Sequence, residues 1–114
     1  MPEYLVQVAY TPEAWEAMIR EPQNRQEIVR PAVESLGGKF THAWISFGEY
    51  DLIGIIEMPS NVDAAAFSIG VTSKGAVKAL KTTPLISMEQ SVEAMGRAQR
   101  LAYAPPGRTP SGVR

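Results

Sequence analysis

The chain has 114 residues, 45 % of them apolar and 20 % charged, with a formal net charge of −1; that length supports one two-layer core and excludes a second domain of similar size. It has no cysteine, which excludes a disulfide framework, thiol chemistry and a cysteine metal site. No block of Lys or Arg interrupts it, so nucleic acid and anionic membrane surfaces are not expected partners.

In chain order, Tyr4 to Tyr10, "YLVQVAY", is a strand-length run rich in aromatic and β-branched residues. Thr11 can cap the helix that follows, Pro12 suits its first turn, and Trp15 and Met18 carry it to about Arg20. After the break "EPQN", Asn24 to Glu27 reads as a capping box, and Ile28, Val29, Ala32, Val33 and Leu36 form an apolar stripe ended by Gly37-Gly38. Pro31 inside that stripe predicts a kink or a late helix start. Lys39 to Phe47 and Leu52 to Met58 are strands joined as a hairpin by Gly48-Glu49-Tyr50-Asp51.

Ser60 to Asp63 again reads as a capping box, opening a helix that stops near Ser73-Lys74-Gly75, whose Ala64, Ala65 and Ala66 suit close packing on a sheet. "AVKALKT" is the fourth strand, and Ser87 to Gln90 caps a last helix through Val92 and Met95 to about Ala102. Residues 1–103 form the expected domain; residues 104–114, "APPGRTPSGVR", are expected to be a flexible Pro/Gly-rich tail. The order β-α-β-β-α-β plus a C-terminal helix is the split pattern of α+β, ferredoxin-like folds with a four-stranded antiparallel sheet. Helices cover one face of such a sheet, and an apolar second face calls for another copy.

With a four-residue loop, Phe47 pairs with Leu52, and the register places Ile45 opposite Gly54, Trp44 opposite Ile55 and His42 opposite Glu57. Ala43, Ile45, Phe47, Leu52, Gly54 and Ile56 then face the helices. Phe40, His42, Trp44, Ser46, Ile53, Ile55 and Glu57 face away, joined by Leu5, Gln7 and Ala9 of the first strand. An apolar face with a few convergent polar groups is the character of a small-molecule pocket. A carboxylate beside an imidazole orients the ring and suits it for proton transfer near neutral pH, so His42 and Glu57 are the candidate catalytic pair; the plainer reading is a supporting pair at the sheet end. Trp44, Gln7 and Ile55 are candidate ligand-binding residues, with Trp44 either a stacking wall or an interface aromatic. Tyr50 and Asp51 read as turn residues, the Asp accepting backbone N–H bonds.

One histidine among scattered carboxylates does not make a closed zinc site, and neither a G-x-G-x-x-G nor a Walker A sequence is present. Ser46 and Ser68 have only His42 as a candidate base, which leaves a hydrolytic triad without support. No cofactor is expected; a haem held by His42 is the one variant that would require one. The longest apolar run falls far short of the roughly 18 residues of a membrane span, and Pro2-Glu3-Tyr4 does not open like a signal peptide. The expected location is the cytoplasm.

The turn "GEYD", Gly48 to Asp51, set between two strands and followed by "IIEMPSN" and "KGAVKALKTTPL", with "SLGGK" before the second strand, resembles the GYD-domain family from Tyr4 to about Ala98. The resemblance implies a dimeric α/β barrel, in which two ferredoxin-like subunits close their open sheet faces against each other. Superfamily relatives include cofactor-free monooxygenases, isomerases, haem-degrading enzymes and ligand sensors, so the fold itself does not select an activity. Two readings stand: a homo-oligomer with a pocket for a small hydrophobic or aromatic ligand, acting as a cofactor-independent isomerase, lyase or oxygenase; and a non-catalytic oligomer that binds a metabolite or serves in assembly.

Overall fold

The computed structural model describes residues 1–107; of the expected tail, residues 108–114 lie outside the described residues. The strands are β1 (Glu3–Tyr10), β2 (Lys39–Ile45), β3 (Leu52–Glu57) and β4 (Val77–Leu85), and the helices are α1 (Pro12–Arg20), α2 (Arg25–Ser35), α3 (Asn61–Ser73) and α4 (Met88–Ala98). The four strands form one antiparallel sheet in the order β2-β3-β1-β4. This is the expected α+β, ferredoxin-like arrangement, with the first crossover divided into α1 and α2.

Local chemistry explains the helix starts. Thr11 accepts the Ala14 amide, Asn24 accepts those of Gln26 and Glu27, and Ser60 accepts that of Asp63. Among the described residues only Ser87 forms the full reciprocal box, with the Gln90 side chain accepting from the Ser87 amide. At Asn24 the Glu27 carboxylate instead binds Arg30, and at Ser60 the hydroxyl donates to the Asp63 carboxylate. The residues around Pro31 stay helical, and α2 begins at Arg25 without delay.

Alternation along β1 and β3 sends Tyr4, Val6, Val8, Leu52 and Ile56 to the helix side, where they meet Val33 of α2 and Ala64 and Phe67 of α3. Met58, Val33 and Ile56 are the most completely enclosed side chains. Of the three consecutive alanines only Ala64 is buried; Ala65 and Ala66 face outward, because one helical turn presents only one of three successive positions to the sheet. The Tyr4 hydroxyl donates to Asn61 Oδ1 at 2.6 Å, tying β1 to the start of α3. Tyr4→Phe is expected to lower stability by about 1 kcal/mol, read as a lower urea midpoint at unchanged slope.

α4 is amphipathic yet has no buried residue. It ends at Ala98 rather than near Ala102, and its Met88, Val92 and Met95, spaced along one stripe, all lie exposed.

Candidate functional site

The hairpin connection spans residues 46–51, two residues more than the expected four, because β2 ends at Ile45. Tertiary bonds decide this. The Tyr10 amide donates to Asp51 Oδ2 at 2.9 Å, the Trp15 indole donates to the same oxygen at 3.4 Å, and the Asp51 amide donates to the Val8 carbonyl at 2.8 Å. Ser46 closes the loop beneath, its amide donating to the Asp51 carbonyl and its hydroxyl to the Tyr50 carbonyl. Asp51 thus accepts a backbone N–H as expected, from β1 rather than from its own turn. Phe47, expected in the sheet, is 98 % exposed in the loop.

The register is corrected accordingly. Ile45 pairs with Leu52, Trp44 with Ile53, Ala43 with Gly54 and His42 with Ile55, a slip of two residues from the expected pairing. An even slip preserves faces, so His42, Trp44, Ile53, Ile55 and Glu57 do share the sheet face away from the helices. Phe40 is the exception. A bulge between Phe40 and His42 turns it to the helix side, opposite Ile56 and buried. Its ring occupies the space above Gly54, where an added Cβ would come within 2.9 Å of it.

His42 therefore does not sit opposite Glu57. Their positions are diagonal, and among the described residues no hydrogen bond joins them; Glu57 pairs in register with Lys39 on one side and Glu3 on the other. The imidazole lies exposed, stacked on Trp44 with ring centroids 5.7 Å apart and planes 14° from parallel, its Nδ1 3.2 Å from Thr41 Oγ1. Gln7 lies between Ile53 and Lys81, and Ile55 between Leu5 and His42. Leu5, Gln7, Ile53, Ile55 and Glu57 are half-buried, and Trp44 is 56 % exposed.

Two concavities border the helix side of the sheet, the first reaching around the β2 edge to Trp44. A groove of about 730 Å³ runs between α1, the α1–α2 connection and β2, lined by Trp15, Met18, Pro22, Ala43, Ile45 and the candidate ligand-binding residue Trp44, among others. A smaller cavity of about 270 Å³ lies between the sheet and α2 and α3. Arg25 borders both, and Lys74 borders the second. Neither residue was picked out by sequence reasoning. The signal for Arg25 is its place: a cation at the first position of a helix opposes the helix dipole.

Among the described residues no group of three His, Asp or Glu side chains gathers to hold a metal ion, and no helix is long and apolar enough to cross a membrane.

The GYD domain matches residues 4–95. The chain belongs to the GYD-domain family. No curated protein gives a significant match to this GYD-domain chain. Among solved structures it is similar to a hypothetical protein from Pyrococcus horikoshii, with 15 % sequence identity, coverage of 79 % of this chain and 95 % of that one, and a TM-score of 0.49. In this GYD-domain protein the turn residues have separable roles. Asp51 anchors the hairpin to β1 and α1, Tyr50 is half-buried beside it, and a Cβ at Gly48 would meet nothing within 4 Å.

Proposed function

We propose that this GYD-domain protein works as a homo-oligomer whose open sheet faces close on one another around a hydrophobic or aromatic small molecule. The observation that carries this reading is the face itself: Leu5, Ile53, Ile55 and Trp44 lie together, no helix among the described residues covers them, and Gln7, His42 and Glu57 are the polar points among them. Burying such a face against a second copy removes apolar area from water. The stacked His42 and Trp44 offer a flat wall to a planar ligand. His42 is the chain's one imidazole, so proton transfer in a cofactor-free isomerase, lyase or oxygenase falls to it.

The separation of His42 from Glu57 favours a second reading, a non-catalytic oligomer in which the same face binds a metabolite or serves assembly. Native mass spectrometry of the purified full chain tests the common premise. We expect a dimer or a multiple of dimers carrying added small-molecule mass, with Trp44→Ala losing that mass while the oligomer persists. Loss of turnover of the identified compound in His42→Ala, with the mass retained, supports the enzyme; unchanged ligand chemistry supports the binding module. A monomer at micromolar concentration would overturn both readings.

A further inference from the structure

The 270 Å³ cavity on the helix side of the sheet is a second, separate space. Its walls include Val6, Val8, Ile56, Phe67, Val71 and Leu80, and among the described residues no acidic side chain lines it. Its only charged wall residues are two cations. Arg25 comes from the start of α2, and Lys74 follows the end of α3. Lys74 is exposed, so the cavity meets solvent on that side, whereas Arg25 is half-buried.

The Arg25 guanidinium is committed along one edge only. Its Nη1 donates to Gln23 Oε1, while its Nε is buried with no hydrogen-bond partner. A buried donor without a partner is costly, and Nη2, which is neither sealed nor committed, is the donor Arg25 can offer an anion in the cavity. Among the described residues neither Arg25 nor Lys74 has an ion-pair partner. Arg25 opens α2 at the end where the helix dipole favours an anion, in a turn whose own acid, Glu27, is paired with Arg30.

We propose that this cavity binds a small apolar carboxylate, its hydrocarbon part among Val6, Val8, Ile56 and Phe67 and its carboxylate held by Arg25 and Lys74. The volume lies just below the usual span of ligand pockets, roughly 300–1,000 Å³, which fits a short-chain or single-ring acid rather than a long lipid. The site is complete within one copy and does not depend on the open face.

Octanoate is the probe, with octan-1-ol and octylammonium as neutral and cationic counterparts, added to the full chain in isothermal titration and in methyl NMR. We expect one octanoate per chain, with octan-1-ol at least tenfold weaker and no saturable binding of octylammonium. Methyl shifts should appear at Ile56, Val6 and Val71 and not at Ile53 or Ile55, neighbours in sequence that face the other side. Arg25→Gln and Lys74→Gln, both changes outside the packed core, should each weaken octanoate about tenfold and leave octan-1-ol unaffected. Equal affinity for the acid and the alcohol would overturn the proposal, as would the absence of binding. Shifts confined to Ile53 and Ile55 would also overturn it, while supporting a ligand on the open face.

Discussion

Gly38→Ala is expected to cost the fold about 3 kcal/mol, the upper end of the usual range for overpacking, and to lower the melting temperature by roughly 10 °C or more. The reason is a close approach at the point where α2 hands over to β2. A Cβ on Gly38 would collide with the Glu57 carbonyl oxygen, lie 2.6 Å from Met58 Sδ and 3.1 Å from Val33 Cγ1. The thioether can swing aside, but the carbonyl belongs to the backbone of β3, and Met58 and Val33 are themselves fully enclosed. Gly38 also donates its amide to the Val33 carbonyl, so it cannot retreat without loosening the end of α2. Gly37 is glycine for a different reason, a left-handed φ of 82°, and Gly37→Ala should cost about 1–2 kcal/mol. Gly48→Ala, with open space around its position, should remain within about 0.5 kcal/mol of the parent. Thermal unfolding of the three variants orders them; a Gly38→Ala protein as stable as Gly48→Ala would refute the close-approach argument.

Asp51→Ala is expected to cost about 1–3 kcal/mol, because it leaves a part-buried donor without its partner. Tyr10 is 5 % exposed, and its amide has the Asp51 carboxylate as its partner. The same oxygen receives the Trp15 indole, and Trp15 meets Tyr10 edge-on with ring centroids 5.6 Å apart. One carboxylate therefore fastens a loop, a strand end and a helix. Asp51→Asn keeps an acceptor and should lose a smaller part of this stability. Urea unfolding gives the comparison, and near-ultraviolet circular dichroism should show the Trp15 environment loosened in Asp51→Ala. Equal midpoints for Asp51→Ala and the parent would show that the Tyr10 amide finds another partner.

The order of elements was legible because each boundary has its own local chemistry. Thr11, Asn24, Ser60 and Ser87 cap, Gly37 ends a helix in the left-handed region, and strands alternate with two faces. The pairing of β2 with β3 was not legible in the same way. The loop length depends on Asp51 reaching Tyr10 and Trp15, residues some forty positions away, and no turn preference contains that information. The bulge beside Thr41 had a trace in Gly54, an isolated glycine inside a strand, which marks a close approach. The neighbour that fills that space, Phe40, emerges only once the strands are paired. The face shared by His42, Trp44, Ile55 and Glu57 survived the slip because it was even; the contact between His42 and Glu57 did not. The cavity beside Arg25 was the least accessible from sequence. Val6, Val8, Ile56 and Phe67 read as ordinary core positions, and a gap between them is a property of their packing rather than of any one residue type.

The bare flank of α4 leaves the helix without packing support from its own sheet. Eleven residues are fewer than the ~12–15 at which even alanine-rich helices are marginal in water. The Ser87 capping box contributes about 1 kcal/mol, too little to offset an interior that includes Gly96. Burial of Met88, Val92 and Met95 is the remaining source of stability, and the parent body supplies none of it. The helix therefore stands on its capping box and its own backbone bonds, and apolar surface laid against Met88, Val92 and Met95 would add the stability that the sheet does not.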